Sequence, residues 1–133
     1  MNQQNRIYKP EYATELISIA EGDLETANAL AAQKVGRVEN IIYHCEQAIE
    51  KCLKAVLCFR GKPILHTHNL GMLVMALGDA ENIPHGENLD SLSEFATIRR
   101  SVETGDIIED EDVQTAIEVA GDVLGWAHKI IRS

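Results

Sequence analysis

The sequence predicts an all-α protein, a single up-and-down bundle of about five helices over residues 1–133. Three observations carry this. Residues 40–57, NIIYHCEQAIEKCLKAVL, place Ile41, Ile42, Cys45, Ala48, Ile49, Cys52, Leu53, Val56 and Leu57 at steps of three and four, on one broad helical face. The composition is rich in Ala and Leu and poor in aromatics, with two Phe, three Tyr and one Trp, which favours helices over sheets. No strand-like alternation of useful length occurs, and no internal repeat or low-complexity tract.

The chain divides in order as follows. Pro10 suits the first turn of a helix, where a missing N–H is harmless. Tyr12, Leu16, Ile19, Ala20, Leu24, Ala27, Leu30 and Ala31 then keep helical spacing, so a first helix is expected over 10–33. Gly22 weakens it by roughly 1 kcal/mol relative to Ala and is a candidate for a close helix–helix contact. Lys34-Val35-Gly36 is a short break that suits an antiparallel return. The second helix follows to about Arg60 and is the spine of the bundle, because so wide an apolar stripe must touch more than one neighbour. Glu46, Gln47, Glu50, Lys51 and Lys54 are expected on its solvent face, with Glu50 and Lys54 in the favourable i,i+4 order.

Gly61 and Pro63 end the spine, and residues 61–68, GKPILHTH, read as a loop. Thr67 is the expected cap of a third helix carrying Leu70, Leu73, Val74 and Leu77, with Met72 and Met75 extending its apolar surface. Gly78, Asn82, Pro84 and Gly86 make the next connection. A short fourth helix carries Leu89, Leu92, Phe95 and Ala96 and reaches Arg99. Residues 101–109 lack a helical period and read as an exposed loop. Asp110 or Asp112 is expected to cap the last helix, whose acidic start and Lys129 and Arg132 at its end both suit the helix dipole. Its apolar stripe is Val113, Ala116, Ile117, Ala120, Val123, Leu124, Ala127, Ile130 and Ile131.

Composition narrows the function. The chain of 133 residues can bury about two-thirds of its unfolded surface without staples. No apolar run approaches the roughly 20 residues of a membrane span. The first ten residues, MNQQNRIYKP, are polar and lack a signal-peptide core, so the expectation is a cytoplasmic protein. The net charge is −9, which argues against general charge-driven binding of nucleic acid. The charge is uneven: residues 34–78 carry six bases and three acids, and this basic middle could form a local anion site. Cys45 and Cys52 are seven residues apart, about 10.5 Å along a helix. That is too far for one zinc or for a disulfide, so the three cysteines, Cys58 included, read as buried small hydrophobes in a reducing compartment.

Standard catalytic signatures are missing: there is no G-x-S-x-G, no P-loop, no G-x-G-x-x-G and no H-E-x-x-H. No cofactor, metal site or catalytic residue is assigned. Three features carry chemistry. His66 and His68, before the third helix, suit an anion; as a metal pair they lack a third ligand of recognisable spacing. Arg99 and Arg100 suit phosphate or carboxylate through their planar forks. Asp23, at the edge of the first helix's apolar face, needs a partner if it is buried, and Lys54, near Glu50, or an arginine could supply it in a structural salt bridge.

Four segments together resemble a known family: EGDLETANAL at 21–30, YHCEQAIEKCLKAVL at 43–57, HTHNL at 66–70 and AIEVAGDVLGWA at 116–127. Their order and spacing resemble the HEPN domain (higher eukaryotes and prokaryotes nucleotide-binding), in its small prokaryotic type, over residues 11–132. Arg99 or Arg100 stands where that family places an Arg before an acidic loop and the final helix. The resemblance implies a small helical bundle, usually a homodimer. Bacterial and archaeal members are often encoded beside a minimal nucleotidyltransferase and act with it, some as toxin–antitoxin pairs. Some members are metal-independent ribonucleases with an Arg and a His four to six residues apart near the start of the final helix. Here no His follows Arg99 or Arg100 until His128, and Arg60 to His66 has the spacing only in the loop before the third helix. The expected function is therefore a non-catalytic module that binds a nucleotide or phosphate through Lys54, His66, His68 and Arg99 and partners a nucleotidyltransferase. A plain protein-assembly module ranks next. A ribonuclease toxin acting on RNA through Arg60 with His66, or Arg99 with His68, ranks third.

Overall fold

The computed structural model describes residues 5–93, 102–105 and 107–132. Over these the protein is an all-helical bundle that includes α1 (Tyr12–Gln33), α2 (Val38–Phe59), α3 (Leu70–Leu77) and α4 (Asp110–Ile131). Two 3-10 segments, Ala80–Asn82 and Gly86–Leu92, lie between α3 and α4. Phe95, Ala96 and Arg99, expected on a fourth α-helix, lie outside the described residues, as does Arg100; the described part of that segment is the tighter 3-10 form. Val102, Glu103 and Thr104, expected in a loop, are helical, although exposed as expected.

α2 is the spine. α1 packs along it, α4 packs on both, and α3 packs on α2. All nine expected stripe residues of α2 are buried. From Ala48 to Cys58 every residue is buried except Lys51 and Lys54, which are intermediate. A helix surrounded on this many sides has no solvent face in that half. The expectation that Glu50 faces water is therefore wrong: its side chain is completely buried.

Local chemistry sets the element ends. α1 closes on Lys34 in the left-handed conformation, with φ 53°, and its N–H donates to the Leu30 carbonyl. Thr67 does not cap α3. Asn69 does, accepting from the Met72 N–H at 2.9 Å, while the Thr67 hydroxyl accepts from the Asn69 N–H at 3.1 Å. α4 is capped by Glu109 rather than by either expected Asp. Asp112 takes the reciprocal place, accepting from the Glu109 N–H at 3.0 Å, the two-way arrangement of a capping box. Gly86 is required by close approach, since a Cβ there would stand 2.4 Å from the Ala80 carbonyl oxygen. Gly22 is not: a Cβ would meet nothing within 4 Å, so it marks no helix–helix contact. On α4, Val119 is buried as well, while Ile117, Leu124, Ile130 and Ile131 are only partly so.

An N-terminal arm completes the part of the fold nearest the candidate site. Arg6 and Ile64 form an isolated antiparallel bridge, and Asn5 Oδ1 accepts from the His66 N–H at 3.4 Å. The Cys58 thiol donates to the Lys9 carbonyl at 3.2 Å. The arm thus fixes the loop that leads from α2 to His66 and His68. No helix among the described residues is long and apolar enough to cross a membrane.

Candidate functional site

The central feature is the buried carboxylate of Glu50. Placing an ionised carboxylate away from water is costly unless donors satisfy it. Three do so. Lys51 and Lys54 each donate to Oε2 at 3.1 Å, and His68 Nδ1 lies 2.8 Å from Oε1. Burial pushes the Glu50 pKa up, but the bonds from His68 and Lys51 and the charges of both lysines outweigh it and leave it below the usual carboxylate value.

Each part has a local cause. Lys54 reaches Glu50 because residues four apart share a helix face. Lys51 is its chain neighbour and bends its long stem back over the carboxylate. His68 comes from the segment that α3 and the N-terminal arm hold in place. The carboxylate is wholly enclosed, the two lysine side chains are 13% and 22% exposed, and His68 is 81% exposed.

The arrangement is cationic. Glu50 neutralises one of two lysine charges, and both lysine ion pairs recorded among the described residues are to that one carboxylate. Each ammonium has three N–H donors, and Glu50 takes one from each. Among the described residues, what remains is a pair of lysines with part-exposed side chains and two positive charges against one recorded negative charge. Such a group can bind an anion.

Of the residues singled out in the sequence, Lys54 and His68 are brought together, on opposite oxygens of Glu50. His66 lies two residues before His68 and is exposed. Arg99 lies outside the described residues. Asp23 takes neither Lys54 nor an arginine; its partner is His44, at 3.0 Å across the α1–α2 contact. Arg60 is held by Asp79, with Nη1 3.2 and 3.3 Å from its two oxygens. Helical spacing alone places Glu50 and Lys51 on a solvated face. The signal for Glu50 was an acid with a lysine at i+4 beside a run of buried small residues, and only the packing of α3 made it decisive.

A separate cleft of about 270 Å³ lies where α1 ends and α2 and α4 begin. Ala31, Val35, Val38, Ile41 and Val113 line it, with Lys34 and Asp110 also on its walls. Ile41 is nine residues from Glu50, about 13.5 Å along α2, so the cleft and the lysine pair are distinct places. The cysteines offer no chemistry. Burial raises Cys45 and Cys52 to about 12 and also raises Cys58. All three are free and buried, as expected. Among the described residues, no group of three or more His, Cys, Asp or Glu side chains could hold a metal ion.

A family model described as the HEPN domain matches residues 13–131, nearly the whole chain. No curated protein and no solved structure matches it.

Proposed function

Because the chain belongs to the HEPN domain family, we propose that it is a non-catalytic nucleotide- or phosphate-binding module. It acts as a homodimer beside a minimal nucleotidyltransferase, in the manner of toxin–antitoxin pairs. One observation carries the ligand half of this reading: two lysines with part-exposed side chains share a single buried carboxylate, so that two positive charges meet one recorded negative charge among the described residues. Phosphate oxygens are natural acceptors for their free N–H donors. His68, mostly exposed on the far side of Glu50, adds a further polar contact at the rim. The nucleotidyltransferase partner and the dimer rest on what the family resemblance implies.

Calorimetric titration with ATP at moderate salt tests the reading. Heat of binding is expected, and Lys54→Met should weaken it by about tenfold, the effect of losing one charge-assisted hydrogen bond. Absence of heat with ATP and with inorganic phosphate contradicts it.

That second result would favour protein assembly without a small ligand. Met72 and Met75 on α3 are 50% and 80% exposed, and they give such a module an apolar contact face.

A further inference from the structure

We infer that the lysine pair selects a terminal phosphate monoester over a phosphodiester, and that Glu50 is the positioning residue that makes it do so. This rests on the phosphate-binding reading above.

Both ammonium nitrogens lie 3.1 Å from the same Glu50 oxygen, so they are at most about 6 Å apart. Two donors that close can both reach one phosphate group. Lysine side chains normally lose considerable rotamer freedom when they bind. Here the buried carboxylate holds both before any ligand arrives. The carboxylate is wholly enclosed, whereas both lysine side chains reach solvent in part.

Charge then decides between ligands. A terminal phosphate carries a charge of about −1.5 to −2 at neutral pH and three strong acceptor oxygens. A diester carries a single charge. Two clustered ammoniums that share one carboxylate can satisfy two oxygens of a terminal phosphate and match its second charge. They gain less from a diester. RNA backbone is accordingly the poorer ligand, and a nucleotide with a free phosphate end the better one.

Glu50 allows two opposite outcomes. If it were only a competing anion, its removal would free both lysines and tighten phosphate binding. If it positions them, its removal weakens binding even though the site gains net positive charge. The test compares AMP with 3′,5′-cyclic AMP by calorimetry, since the two share base and sugar and differ in the phosphate. AMP should bind about tenfold tighter, the value of one additional charge-assisted hydrogen bond. Glu50→Gln should weaken AMP more than cyclic AMP and bring the ratio towards one. Lys51→Met, which alters a part-exposed side chain and leaves the core filled, should reduce the ratio in the same way. Equal affinity of the wild-type protein for the two nucleotides overturns the selectivity while leaving phosphate binding intact. Tighter AMP binding by Glu50→Gln overturns the positioning role. Failure of both nucleotides and of inorganic phosphate to bind removes the phosphate-binding reading itself, and the inference with it.

Discussion

Replacing Glu50 with Gln keeps the shape of the side chain and removes its charge, so no cavity complicates the result. Three contacts change character: those from Lys51 and Lys54 at 3.1 Å and that with His68 at 2.8 Å. A hydrogen bond to a charged group contributes roughly 1.5–3 kcal/mol and a neutral one roughly 0.5–1.5, a difference of about 1 kcal/mol per contact. The His68 contact is exposed to water and is discounted. The expected loss is therefore about 2 kcal/mol near pH 7, which a domain of ordinary stability survives. The pH dependence has a definite sign. Glu50 is held below the usual carboxylate value, so its contribution is complete above its unfolded value of about 4.3. It is lost as pH falls through the lowered folded value. Urea denaturation followed by circular dichroism at about pH 7 and about pH 3 measures both effects. The variant should be less stable near neutrality, and the gap should narrow in acid. Equal stability at neutrality, or a gap that persists unchanged in acid, would refute the reasoning.

Four other outcomes can be checked, by urea denaturation and by reaction with a thiol reagent. Asn69→Ala removes the side chain that caps α3 and should cost about 1 kcal/mol in urea denaturation, whereas Thr67→Ala should cost less. Gly22→Ala should stabilise the protein by about 0.5–1 kcal/mol, because the added methyl meets nothing and a helix interior favours Ala; a loss of stability would show a contact at that position. Burial raises Cys45 and Cys52 to about 12, so they should resist a thiol reagent at about pH 8 until the protein unfolds. The folded values lie above the unfolded ones, so these thiols should also make stability fall as pH rises from about 9 towards 12.

The helices were legible because their causes are local. The stripe of α2 from Ile41 to Leu57 is written in the spacing of its apolar residues, and all of it is buried. Pro10, Gly36 and Gly61 mark breaks because backbone conformation restricts which residues fit there. The caps were harder. Thr67 and Asn69 are both good cap residues two positions apart, and the choice depends on where the loop hands the chain to α3. Asp110, Asp112 and Glu109 posed the same problem at α4, where the acids alternate roles within one turn. Gly22 reads identically in a helix that touches a neighbour and in one that does not.

The site was half legible. Lys54 and His68 stood out as residue types, yet nothing in their spacing showed that they share a carboxylate. Helical periodicity assigns Glu50 to the polar side of α2, and that assignment assumes one buried face. The C-terminal half of α2 is enclosed on several sides, a tertiary fact that no window of local sequence contains. His44 with Asp23 is a case of the same kind, a contact between two helices 21 residues apart in sequence.

The most direct test of the account is to locate the ligand. A nitrogen–proton correlation spectrum of labelled protein, recorded during titration with ATP, reports each backbone amide separately. The account predicts that the largest shifts fall on residues 50–54 and 66–70, around Glu50, Lys51, Lys54 and His68. Shifts centred instead on the cleft formed by Ala31, Lys34, Val38, Asp110 and Val113, or a spectrum unchanged at saturating ATP, would contradict it.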